Sequence, residues 1–99
     1  MKARFTPQAQ VDIASIYDYI AKDNPRAAQR VEDHIRAAIN VLRRAPGMGV
    51  PIEEENVRRL PIGRYPYTVF YLLDQDADEL QVLRVMHGAR IKDLGKVPR

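Results

Sequence analysis

Two short pairs, Thr6-Pro7 and Asn24-Pro25, constrain this chain's fold more than any other residues, because each sets a side-chain acceptor directly before a proline. A Thr or Asn oxygen can take up a free N–H of a helix's first turn, and a proline at the first helical position loses no bond by lacking its own. Two helices are therefore predicted to start at Pro7 and Pro25. Behind the first start, Ala9, Ile13, Ile16 or Tyr17, and Ile20 recur at three- and four-residue intervals, giving one apolar face that ends near Lys22. Behind the second, Ala28, Val31, Ile35, Ala38 and Leu42 repeat in the same way, and the run stops before Pro46. The break at Asp23-Asn24 makes the pair a helix hairpin, and the alanines let its arms lie close.

After Leu42 the period changes. Pro46-Gly47-Met48-Gly49-Val50-Pro51 reads as a loop, since its prolines and glycines resist both helix and ladder. Val57 to Ile62, Tyr67 to Leu73 and Leu80 to Met86 are runs rich in β-branched and aromatic residues, parted by Gly63-Arg64-Tyr65-Pro66 and by the acidic stretch Asp74 to Glu79. With Lys2 to Phe5 as a short first strand, the expected fold is α+β: a short N-terminal strand, a two-helix hairpin, and a three-stranded antiparallel meander with the helices on one face. Charge at Arg58, Arg59 and Arg64, together with Pro61, suits an edge strand.

Alternation along the meander places Tyr67, Val69, Tyr71 and Leu73 opposite Thr68, Phe70 and Leu72, and sets Leu83 and Val85 against Leu80, Val82 and Met86. Both faces of the sheet are then apolar. Two helices cover one face, so the other calls for the C-terminal tail, a twin subunit or a partner protein. Arg84 interrupts a strand expected to be central, and it is expected on the open face rather than against an acid.

Ninety-nine residues suit one domain, 1–99, in which 88–99 form a basic tail. Without cysteine, and with His34 and His87 as the only histidines, the chain offers no thiolate site and no self-contained zinc centre, so no cofactor or metal is expected. No apolar run approaches the ~20 residues of a membrane span, and Met1 to Pro7 lack a signal peptide's apolar core, so the cytosol is the expected compartment. Net charge is only +3, but five basic residues and one acid follow from Arg84 onward, an arrangement that draws acidic partners. Consecutive acids at Glu53, Glu54 and Glu55 read as solvated loop charge rather than a general base.

Taken in order, a set of residues spans nearly the whole chain: Asp12-Ile13, Ile16 and Tyr19-Ile20, then Asn24-Pro25 with Ala27-Ala28, then Leu42, Pro46 and Gly49. It continues through Val57-Arg58-Arg59-Leu60, Tyr65-Pro66-Tyr67, Tyr71 and Leu83 to Arg90. This pattern resembles the ParE branch of the RelE/ParE toxin superfamily. Val50 departs from it, standing where the family often has an arginine.

The resemblance implies the toxin of a bacterial type II toxin-antitoxin pair, one that inhibits DNA gyrase by binding rather than by catalysis. A ParD-like antitoxin would hold it inactive in a hetero-oligomer, with part of its tail on the spare sheet face. RelE relatives instead cut messenger RNA on the ribosome, which needs cations around a phosphate and a proton-transfer group. They commonly carry an arginine where Thr68 stands here, and a tyrosine six residues beyond Arg90, where Lys96 stands. A ribosome-dependent ribonuclease using Arg84, His87 and Arg90 is thus the second reading, and a non-toxic antitoxin-binding domain the third.

Under the leading reading, the target-binding residues are expected among Arg58, Arg59, Arg64, Arg84, His87, Arg90 and Lys96. Antitoxin contacts are expected among Tyr67, Val69, Tyr71, Leu80, Val82 and Arg84. No RNA-binding motif accompanies the five tyrosines, so they read as packing, and direct nucleic-acid binding is not expected. His87 on its own reads first as a strand-end histidine bonded to backbone, ahead of a functional role.

Overall fold

In a computed structural model, which describes residues 1–93 and 97, the elements begin where the caps put them. Strand β1 (Lys2–Phe5) leads into helix α1 (Pro7–Ala21), whose cap Thr6 accepts from the Ala9 N–H at 3.1 Å. Asn24 accepts from the Ala27 N–H at 3.1 Å to start α2 (Pro25–Arg44), and Arg43 and Arg44 complement the negative end of that helix. Ala28, Val31, Ile35, Ile39 and Leu42 form the buried stripe of α2; Ile39 takes the place expected for Ala38, which is only partly buried.

The sheet has five strands, two more than the meander. Its order is β1-β5-β4-β3-β2, with β2 (Val50–Pro51), β3 (Val57–Pro61), β4 (Tyr67–Asp74) and β5 (Glu79–His87) antiparallel in sequence and β1 parallel to β5. The helix hairpin supplies the crossover that a parallel pair requires. All of the expected loop 46–51 but Gly49 is ordered otherwise: Pro46–Met48 is a 3-10 turn, and Val50 and Pro51 pair with Arg59 and Arg58. β3 is therefore not an edge strand over its first half, and Pro61 lies beyond the reach of β2, where a missing N–H costs nothing.

The helices cover one face, burying Val69, Tyr71, Leu80, Val82 and Val85 against Ile13, Ile35 and Leu42. On the opposite face Val57, Phe70 and Leu83 are buried with Val97, and Ile52, Leu72, Met86 and Ile91 pack against them. Of the three covers considered for that face, the C-terminal segment supplies one: Ile91, in a 3-10 turn at Gly88–Asp93, and Val97, whose N–H donates to Glu54 Oε1 at 2.6 Å.

Strict alternation fails on β5, and the expectation that Leu83 sides with Val85, and Met86 with Leu80 and Val82, is corrected. Phe70 pairs with Arg84 but Tyr71 pairs with Val82, so Leu83 is an extra residue with no partner across the ladder. Such a bulge inverts the facing of every residue beyond it. Val85 turns to the helices and Met86 to the opposite face.

One buried tyrosine ties the 46–49 turn to the sheet. Tyr71 donates its hydroxyl to the Pro46 carbonyl at 2.7 Å and accepts from the Gly49 N–H at 2.9 Å, while Arg58 donates to the Gly49 carbonyl at 2.7 Å. A side chain at position 49 has no room: a Cβ there would press on the Tyr71 hydroxyl and lie 2.7 Å from Tyr71 Cε1 and 2.9 Å from the Arg59 carbonyl. Gly49→Ala is expected to destabilise by about 1–3 kcal/mol, the usual range for overpacking, read as a lower urea midpoint at unchanged slope.

Burial also pushes the Tyr71 hydroxyl above the ordinary tyrosine value of 10.0, against the smaller opposing pulls of the Gly49 bond and Arg58. The folded state thus holds its proton more firmly than the unfolded chain does. Stability from this group is complete below pH 10.0 and is lost as pH rises through the higher folded value. Alkaline unfolding followed by circular dichroism is expected to show this fall, and Tyr71→Phe to flatten it, at a cost of about 1 kcal/mol near neutrality from the lost hydroxyl bonds.

Candidate functional site

Just beyond the bulge on β5, α1 meets the Arg84 side chain and the Val85 N–H with a single carboxylate. Asp12, buried on α1, accepts from Arg84 Nε at 2.8 Å, from Arg84 Nη2 at 3.0 Å and from the Val85 N–H at 2.9 Å. Gln8 one turn earlier adds a fourth donor at 3.0 Å. Thr6 closes the joint, its hydroxyl donating to the Leu83 carbonyl at 3.0 Å and its N–H to the Val82 carbonyl at 3.1 Å. Arg84 is therefore not on the open face as expected. It is in a two-point ion pair, with side-chain exposures of 19% for Arg84 and 8% for Asp12.

Beside this joint lies an open cleft of about 520 Å³ between α1 and the end of β5. Ser15, Ile16 and Tyr19 line it from the helix, Tyr67 from β4, and Val85, Met86, His87 and Arg90 from β5 and the turn after it. Tyr19 is 74% exposed, unusual for so large a ring. Tyr67 and His87 meet edge to face, with centroids 5.6 Å apart. Burial raises the Tyr67 hydroxyl above 10.0, and Tyr19 nearby raises it further, so Tyr67 is a neutral donor at physiological pH. His87 Nδ1 accepts from the Ala89 N–H at 3.0 Å, which places the proton of the neutral ring on Nε2. The described residues of the cleft thus supply hydroxyl, imidazole and guanidinium donors over an apolar floor, while the Asp12 carboxylate is already engaged.

Of the residues expected to contact a target, Arg84, His87 and Arg90 come together in this cleft. Arg58 does not, being spent on the Gly47 and Gly49 carbonyls, and Arg64 lies over the Tyr65 ring in the β3–β4 turn, 5.9 Å from its centroid. Arg59 is exposed on β3, and Lys96 lies outside the described residues. The expected antitoxin contacts need correction on geometry: Val69, Tyr71, Leu80 and Val82 have no exposed surface because the helix hairpin lies over them. Of that group Tyr67 and Arg84 remain at the cleft. Tyr19, Ser15 and Asp12 were not anticipated, although an acid on the inward side of α1 and an arginine inside a central strand are two charges that burial obliges to pair.

The fold has counterparts among known proteins. A family model described as the ParE toxin of the type II toxin-antitoxin system parDE matches residues 3–92. The chain belongs to the ParE toxin family. It is 34% identical over 87 residues to Y4kP of Sinorhizobium fredii, a protein named for a proposed toxin role, with 88% of each chain covered. Among solved structures it is similar to one from the chromosomal ParDE toxin-antitoxin system of P. aeruginosa, at a TM-score of 0.76 and 28% identity over 88% of this chain and 95% of that one. A structure from the RelBE2 toxin-antitoxin complex of Mycobacterium tuberculosis aligns less closely, at a TM-score of 0.59 and 27% identity over 87% of this chain and 95% of that one. Within this ParE toxin, no helix among the described residues is long and apolar enough to cross a membrane.

The joint itself is open to test. Asp12→Ala leaves the Arg84 guanidinium and the Val85 N–H without their acceptor, and is expected to destabilise by about 3 kcal/mol or more. The double change Asp12→Ala with Arg84→Met is expected to recover part of that loss, because no uncompensated charge then remains. Urea unfolding of the two single variants and the double variant gives the coupling, and additive effects would contradict the pairing.

Proposed function

We propose that this ParE toxin acts in the bacterial cytoplasm by binding DNA gyrase and trapping it on cut DNA, and that a cognate ParD-like antitoxin holds it inactive in a hetero-oligomer. The observation that carries the binding mechanism is the cleft between α1 and β5, where exposed rings and guanidinium groups meet and the one lining carboxylate, Asp12, is already engaged. Cleavage of RNA requires a group to withdraw a proton. Here His87 keeps its ring proton on the nitrogen away from Ala89, Tyr67 is held neutral, and the Asp12 carboxylate is filled by Arg84 and Val85. A surface of donors around exposed rings suits the grip on an acidic, partly apolar protein site, with Arg90, His87 and Tyr19 as the residues that touch it. The antitoxin partner rests on the family, and on the likeness to chains whose structures come from toxin-antitoxin systems.

The ribonuclease reading retains one specific observation, the meeting of Arg84, His87 and Arg90 in one cleft. Inducing the chain alone in a bacterial host, and following chromosome and message integrity in the same cells, separates the two. Broken DNA with intact message is the expected outcome, and Arg90→Glu, on an exposed turn, is expected to relieve growth arrest without lowering the urea midpoint. Broken message with intact DNA, lost on His87→Ala, would give the catalytic assignment to His87. Normal growth would mean an antitoxin-binding domain without toxicity.

A further inference from the structure

Among the described residues five large apolar side chains stay exposed: Val11 and Tyr19 on α1, and Val41, Met48 and Val50 where α2 runs out into the sheet. The second group stands on a stretch free of carboxylates, since the chain has no acid between Asp33 and Glu53. Met48, 53% exposed, closes the 3-10 turn, and Val50, 56% exposed, opens β2. Val50 lies directly opposite Arg59 on β3, so the two side chains share the face turned away from the helices, beside Ile52. Arg59 and Arg44, the last residue of α2, are exposed and have no carboxylate partner among the described residues.

Two exposed apolar residues on a loose turn would signify nothing. This turn is fastened from beneath. The Tyr71 hydroxyl holds the Pro46 carbonyl and the Gly49 N–H, and Arg58 donates to the Gly47 carbonyl at 3.3 Å and to the Gly49 carbonyl at 2.7 Å. Gly49 leaves no space for a side chain, so the backbone that carries Met48 and Val50 is seated tightly on the sheet. A backbone already fixed loses little freedom when its side chains dock on a partner. The composition points the same way, because methionine and arginine are enriched at the centre of protein interfaces while aspartate, glutamate and lysine are depleted there.

We propose that this corner is a second contact for the protein target, in which Met48 and Val50 enter an apolar depression on DNA gyrase and Arg44 and Arg59 meet acids at its rim. That the partner is gyrase rests on the function proposed above; the chemistry of the corner does not. A phosphate backbone would satisfy the two arginines but leave Met48 and Val50 against charge. A second copy of this chain in a two-fold pair would set Arg44 and Arg59 against their own likeness, with no acid on the stretch to separate them.

The affinity of the purified full chain for purified DNA gyrase, measured by sedimentation with and without plasmid, tests this. Met48→Glu with Val50→Glu is expected to raise Kd about tenfold or more at an unchanged urea midpoint. Gln75→Glu with Ala77→Glu, which adds the same charge in the exposed β4–β5 turn, is expected to leave Kd unchanged. Should the first variant unfold, Arg44→Glu with Arg59→Glu, both exposed, is expected to weaken binding likewise. Equal affinity for the natural chain and the corner variants would overturn the proposal and leave the gyrase reading standing, whereas a natural chain that does not bind gyrase would remove both. A loss of affinity seen only when plasmid is present would give the corner to DNA, and a dimer of the chain alone that the variant splits would give it to a second copy; either result would also overturn the proposal.

Discussion

The Asp12 carboxylate is the contact on which the rest of the arrangement depends. Just beyond the extra residue on β5, Asp12 on α1 accepts from both the Arg84 side chain and the Val85 N–H. Thr6 adds two bonds from the cap of the same helix to the same stretch of strand, so the start of α1 and the middle of β5 form one unit. The joint also fixes the facing of every residue after Leu83, since the bulge it stabilises is what sends Val85 inward and Met86 outward. The cleft containing Tyr19, Tyr67, His87 and Arg90 is therefore a by-product of how α1 is fastened.

That fastening separates two kinds of surface. On the helix side the sheet is sealed, and on the opposite side Ile91 and Val97 lie over Phe70 and Leu83, so neither large face is bare. What stays open lies at the margins: the cleft at the end of β5, the outward edge of β1 with its cations, and the corner where α2 runs out into β2.

Local chemistry was legible in the sequence wherever a residue's role is decided within one turn of chain. Thr6-Pro7 and Asn24-Pro25 located both helices, and the apolar spacing behind them identified the buried stripes. Val50 and Pro51 escaped notice because a two-residue strand carries no period and one of its members cannot donate to a ladder. The bulge escaped for a different reason: nothing in Leu83-Arg84-Val85 marks which residue will lack a partner, and a shift of one inverts all later facings. The misplacement of Arg84, and of the expected antitoxin contacts along Val69, Tyr71, Leu80 and Val82, followed from assuming an open face where the structure has helices. Pairing Arg84 with Asp12 was open to inference from charge alone, since each interrupts an otherwise apolar surface. Tyr19 carried no such signal, because an exposed aromatic on a helix looks like any other surface residue until the strand beside it is known.

Binding without catalysis, centred on the cleft between α1 and β5, is the claim that most needs a direct measurement. Purified chain should be titrated into purified DNA gyrase with supercoiled plasmid, scoring complex formation by sedimentation and trapped cleavage by plasmid linearisation, for the natural sequence and for Arg90→Glu. A stable complex and accumulating linear plasmid are expected with the natural sequence, and loss of both with Arg90→Glu at unchanged urea midpoint. No complex and intact plasmid, from a folded chain that cuts message on translating ribosomes, would contradict it.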